Sequence, residues 1–168
     1  MVSSITLRTR CISVALNIGW RLAYKTIDRD KKTILLRALL RRFPYWWHGH
    51  RILAEESLAH DAVACAYASA LCMQAIGDRS RYARASSECI LGRCFLRRGD
   101  WREALIHLEA ASHLVPNNFH VNEERAAALI LGGDMKAACD ILAAIPKHHI
   151  SAEGKAALAF TSSKLRSC

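Results

Sequence analysis

Proline is scarce in this chain, at three residues in 168, and glycine is limited to eight. So few turn-forming residues exclude a collagen-like chain and argue against a loop-rich all-β fold. None of the seven cysteines, at positions 11, 65, 72, 89, 94, 139 and 168, forms a C-x-x-C pair. The count is also odd, which speaks against a disulfide framework or a zinc site. No apolar run approaches the roughly 18 residues of a transmembrane helix. The longest, Cys11 to Trp20, is bracketed by Arg10 and Arg21. There is no glycine-rich phosphate loop and no G-x-S-x-G nucleophile elbow.

What remains is ordinary globular composition, 52% apolar and 23% charged. The length suits a single domain with a real core. Ala and Leu dominate, which favours helix. Most cysteines fall in apolar helical stretches, where a free thiol acts as a small hydrophobe. That usage fits a reducing compartment and a cytoplasmic location. Cys168 is expected to be exposed and reactive.

Charge is distributed unevenly. Residues 1–51 hold eleven of the 24 Lys and Arg but two of the 15 acids, and the rest of the chain balances at thirteen of each. The whole excess of +9 therefore sits in the first third. Such asymmetry points to an acidic partner, an anionic membrane surface or nucleic acid, set against a merely solvated basic face. The basic start and apolar run also have the look of a signal peptide, but Arg21-Leu22-Ala23-Tyr24-Lys25 follows instead of an A-x-A-like site. Residues 1–27 contain no acid, as in organelle transit peptides. The segment also fits the repeat spacing below, and that favours a structural helix.

Residues 85–118 carry Leu91-Gly92, Phe95, Gly99-Asp100, Ala104, Leu108, Ala111 and Pro116. Leu91, Cys94, Phe95 and Leu96 form an apolar stripe. Gly92 permits a close helix approach, and Gly99 suits a left-handed helix stop. Asp100 and Glu103 have capping-box spacing. Ala104 and Ala111 are small residues for a helix crossing, and Pro116 ends the second helix. A second copy follows 34 residues later in Ala126, Leu129, Gly133-Asp134, Ala138 and Leu142, with an early Pro146 that shortens its second helix. This segment resembles the tetratricopeptide repeat, a helix-turn-helix of about 34 residues with W-x2-L-G-x2-Y, then A-x3-F, then P. Glu88 stands at the Trp position of the pattern, Leu108 at an aromatic one, and Arg125 replaces the Leu of the second copy.

The resemblance weakens upstream. In 44–77, Trp47, Ala54, Tyr67 and Ala70 fit, while His50-Arg51 replaces Leu-Gly and Gly77-Asp78 closes the unit. In 13–43, Gly19, Trp20, Ala23, Leu36 and Leu39 fit, and Pro44 ends the unit. The expected architecture is all-α: an α-α superhelix of repeats 13–43, 44–77, 85–118 and 119–150, closed by a capping helix in 151–168, all one domain. The spacing predicts helices near 11–27, 31–42, 45–58, 61–76, 81–98, 101–114, 119–131, 135–144 and 151–165, and no strand.

Chemical constellations are weak. His48 and His50 are two apart on a helix, so they face different ways and chelate poorly. His148 and His149 follow Pro146-Lys147 in a turn and His107 and His113 lie on a second helix, and all four are expected to be simply exposed. Glu55-Glu56 and Glu123-Glu124 are adjacent pairs that split between helix faces, consistent with solvated surface. No catalytic residue, metal, cofactor or small-molecule substrate is expected.

The resemblance implies a different site. In the family, the first helix of each repeat lines a concave surface that holds an extended or helical peptide. Carried over by position, that surface comprises Asn17, Arg21 and Lys25, then Tyr45, His48 and Ile52, then Cys89, Arg93 and Arg97, then His120 and Glu123. Arg93 and Arg97, like Arg21 and Lys25, are four apart and could grip a carboxylate. The implied function is a non-catalytic protein-protein interaction module, an adaptor, assembly factor or chaperone-like binder of an acidic or amphipathic peptide. One alternative is peripheral membrane attachment, because Leu35, Leu36, Leu39, Leu40 and Phe43 alternate with Lys31, Lys32, Arg37, Arg41 and Arg42. Nucleic-acid binding ranks below it, since no ladder of stacking aromatics is present.

Overall fold

The computed structural model describes residues 12, 14–20, 29–76 and 80–166. Every regular element among them is helical: α1 at 14–20, α2 (Arg29–Arg42), α3 (Trp47–Ala59), α4 (Val63–Ile76), α5 (Arg81–Arg97), α6 (Trp101–Leu114), α7 (Phe119–Gly132), α8 (Met135–Ala143) and α9 (Ala152–Arg166). Each helix packs on the next in sequence, and the chain forms an all-α superhelix of stacked pairs. Boundaries follow the expected ones closely, including the short α8 ahead of Pro146. Three starts differ by two residues: α2 begins earlier, at Arg29, α3 begins at Trp47 after a turn at Pro44 and Tyr45, and α4 begins at Val63. Gly77-Asp78, Cys11 and Cys168 lie outside the described residues.

Local chemistry sets the helix ends. Ser80, Asp100, Asn118 and Asp134 each accept a hydrogen bond from the backbone N–H three residues on, satisfying one of the orphan donors of the first turn. Gly99 and Gly133 stop α5 and α7 with φ of +78° and +86°, a backbone region that glycine enters without a Cβ penalty. The same cap recurs after 34 residues because the same Gly-Asp pair recurs.

Packing explains the remaining repeat positions. A Cβ on Gly92 would lie 2.5 Å from Leu108 Cγ, so α6 seats directly on the α5 backbone. Ala104, Leu108 and Ala111 are fully buried in that seam, and Ala126 and Ala138 in the next. Burying one such Leu contributes about 1.5–3 kcal/mol. The apolar stripe of α5 serves two cores. Leu91 and Cys94 join Ala54, Leu58, Ala70 and Met73 on the α3–α4 side. Phe95 and Leu96 pack toward Leu108 on the α6 side. A third core lies under α7–α9, and a fourth gathers Trp20, Leu36, Leu40 and Trp46.

The curvature can be read from the contacts. α3 touches α5, α5 touches α7, and α7 touches α9, while even-numbered helices lie farther from one another. The odd helices therefore form the inner wall.

Candidate binding groove

The inner wall carries a trough. Between α3, α5 and α7 lies a cavity of about 150 Å³ bordered by Arg51, Glu55, Tyr82, Cys89, Arg93 and His120. Between α7 and α9 lies one of about 480 Å³ bordered by His120, Glu123, Glu124, Glu153 and Gly154. A third, of about 510 Å³, opens from Tyr82 along the α6–α7 turn. His120 borders all three, so they adjoin at its side chain. The floor of the trough is apolar, with Ala85, Ile90 and Val121 buried.

Several charges of the trough are paired within the fold. Arg93 Nε lies 3.2 Å from Glu124 Oε1, and His120 Nε2 lies 3.6 Å from the same oxygen. Arg51 Nη1 donates to Glu55 Oε1 at 2.6 Å, one helical turn apart. Glu123 Oε1 accepts the backbone N–H of Ser151 at 2.6 Å and so helps seat the start of α9. The lining thus holds four carboxylates, Glu55, Glu123, Glu124 and Glu153, and three arginines, Arg51, Arg81 and Arg93. Cys89 sits in the floor with its thiol pushed up to about 12, first by burial and then by the nearby Glu124 carboxylate. It is a packing residue, not a thiolate.

The residues expected in the groove divide into several groups. Arg93, His120 and Glu123 border the trough, as does Cys89. Arg97 does not border these cavities; its Nη1 lies 3.5 Å from Asp61 Oδ1 at the exposed α3–α4 turn. Arg93 and Arg97 therefore point to separate carboxylates, although they are one turn apart. Asn17 is a structural partner: Trp46 Nε1 donates to its Oδ1 at 2.7 Å. Tyr45 is 74% exposed in the turn before α3, and Ile52 packs with the fourth core. His48 stacks on Trp47 at 3.6 Å between ring centroids. Arg21 and Lys25 lie outside the described residues.

Sequence reasoning missed Arg51, Glu55, Tyr82 and Glu124 as groove residues. Glu55 and Glu124 read as solvated surface because each belongs to an adjacent acidic pair. The i, i+4 spacing of Arg51 and Glu55 was the available signal. His50 is turned aside by its own loop: Nε2 lies 3.0 Å from the Pro44 carbonyl, and burial lowers its pKa. Among the described residues no group of three or more His, Cys, Asp or Glu could hold a metal ion.

No family model matches the sequence, and no curated protein sequence matches it.

Proposed function

We propose that the protein is a non-catalytic interaction scaffold of tetratricopeptide type that seats an amphipathic peptide bearing acidic groups in the trough centred on His120. The observation that carries this reading is the row of adjoining cavities along successive odd helices, with an apolar floor between paired charges. A peptide lying there buries apolar side chains against Ile90 and Val121. Its carboxylate competes with Glu124 for Arg93, and its own cations are met by the released Glu124 or by Glu153. Preformed ion pairs of this kind add specificity more than affinity, since each must be exchanged on binding. The polar His and Glu groups of the fold support the same reading, because Glu88 with His107 and Glu123 with Ser151 serve to join helices. Exposed thiols at Cys65 and Cys72 suit a reducing compartment such as the cytoplasm.

The test is affinity capture followed by affinity measurement with the captured peptide. Arg93→Glu should weaken binding at least about tenfold, the loss of one charge-assisted hydrogen bond. Arg97→Glu should change it far less, because Arg97 stands at the α3–α4 turn. A folded Arg93→Glu protein that captures the same partners with unchanged affinity overturns the proposal.

A further inference from the structure

The two ends of the stack differ. At one end α9 closes the last core, and its exposed residues are half polar, among them Glu153, Lys155 and Ser163, and half apolar, with Phe160 and Leu165 the large ones. At the other, α1 and α2 leave an open cleft of about 440 Å³ lined only by apolar residues, including Leu16, Trp20, Leu35, Leu39 and Phe43. Ile12, which lines the cleft, is 43% exposed, and on the same two helices Val14, Ile18 and Ile34 are 57%, 57% and 69% exposed. On α2, Leu36 and Leu40 turn inward to the core. The opposite face carries Lys31, Ile34, Ala38, Arg41 and Arg42, neighbours at three- and four-residue spacing and all exposed. None of Lys31, Arg41 or Arg42 pairs with a described side chain.

From this face we infer that the α1–α2 end docks on an anionic lipid bilayer. Protruding isoleucines beside a cationic row are what an interfacial element requires: apolar side chains enter the headgroup boundary while Lys and Arg meet lipid phosphate and carboxylate. Tyr45, 74% exposed in the turn after α2, adds an amphipathic ring at the same end. A second copy of this chain is a poor occupant, since it would bring the same cations face to face. A partner helix would fill the cleft but leave Ile34 and Ile18 standing outside it. The surface is separate from the trough, so this inference does not depend on the peptide reading.

The test is cosedimentation of the full chain with phosphatidylcholine vesicles containing about a third phosphatidylserine, against phosphatidylcholine alone. Binding to the mixed vesicles only is expected, and high salt should weaken it. Ile18→Ser/Ile34→Ser keeps the net charge and should lower the partition coefficient about tenfold or more. Arg41→Gln/Arg42→Gln should lower it by a similar factor. Circular dichroism confirms that each variant remains helical. Absence of vesicle binding by the wild-type chain overturns the inference. So does unchanged binding by the serine variant, which would reduce the effect to net charge. So too does capture of a synthetic Leu/Glu amphipathic helix at this face with vesicles left unbound.

Discussion

His107 on α6 donates from Nδ1 to Glu88 Oε2 on α5 at 2.7 Å, in a half-buried seam. The other carboxylate oxygen of Glu88 accepts from Gln74 Nε2 on α4 at 3.0 Å. Phe95 stacks on the His107 ring at 5.3 Å between centroids. Glu88 occupies the position at which the repeat pattern carries Trp, and a polar bridge across three helices stands there instead of an indole. Removing one partner strands the other two. Glu88→Ala should therefore cost about 1–3 kcal/mol, read as a lowered thermal midpoint. His107→Ala in the Glu88→Ala background should add less than it does alone, and strict additivity would show that the bridge carries no coupling.

Gly92 and Leu108 form a matched pair. Gly92→Ala places a methyl 2.5 Å from Leu108 Cγ, and should destabilise by about 1–3 kcal/mol through overpacking. Leu108→Ala alone should cost about 2–5 kcal/mol through its cavity. The double variant should be more stable than the sum of the two, because the new methyl enters space the leucine left. Chemical denaturation of the four proteins checks this.

Gly99 and Gly133 test backbone strain without crowding, since a Cβ on either would meet nothing within 4 Å. Alanine at either position should still cost about 1–2 kcal/mol, the penalty of the left-handed region for an L-residue. Asn, which enters that region more readily, should cost less than Ala. Equal midpoints for Gly, Ala and Asn at position 99 would show that the turn relaxes.

His50 ties stability to pH. Burial lowers its pKa below 6.5 in the folded chain, so the folded state holds the neutral ring more strongly than the unfolded state does. The unfolded chain then binds the extra proton, and the His50 contribution is intact above the unfolded value and fades as pH falls through the folded one. Midpoints recorded downward from neutral pH should drop less steeply for His50→Gln than for wild type over this window. Cys89 acts at the other extreme: its thiol, raised from 9.0 to about 12, keeps its stabilising effect below about 9 and loses it as pH climbs beyond. Cys89→Ala should flatten the alkaline limb alone.

Repeat positions were legible because each is a steric requirement repeated at fixed spacing. Gly92, Ala104, Gly99 and Gly133 do in the fold what their size or backbone freedom demands. Helix ends were legible through Asp100, Asp134 and the prolines. The site was less so. Arg93 and Arg97 share a helix face in sequence, but each is drawn to a carboxylate far along the chain, Glu124 and Asp61. Asn17 read as a groove residue because nothing in its own helix reveals Trp46, 29 positions away. Periodicity reports which way a helix faces; it does not report which distant side chain is waiting there.

The succession of contacts has a consequence for the birth of the molecule. Among the described residues, substantial packing joins a helix only to the next one or to the next but one. Spatial order and order of synthesis therefore coincide. Each described pair leaving the ribosome finds its packing surface already made. Loop-closure entropy stays small at every step. The chain can fold in the direction in which it is translated, growing from its basic end toward α9, whose arrival seals the last open seam.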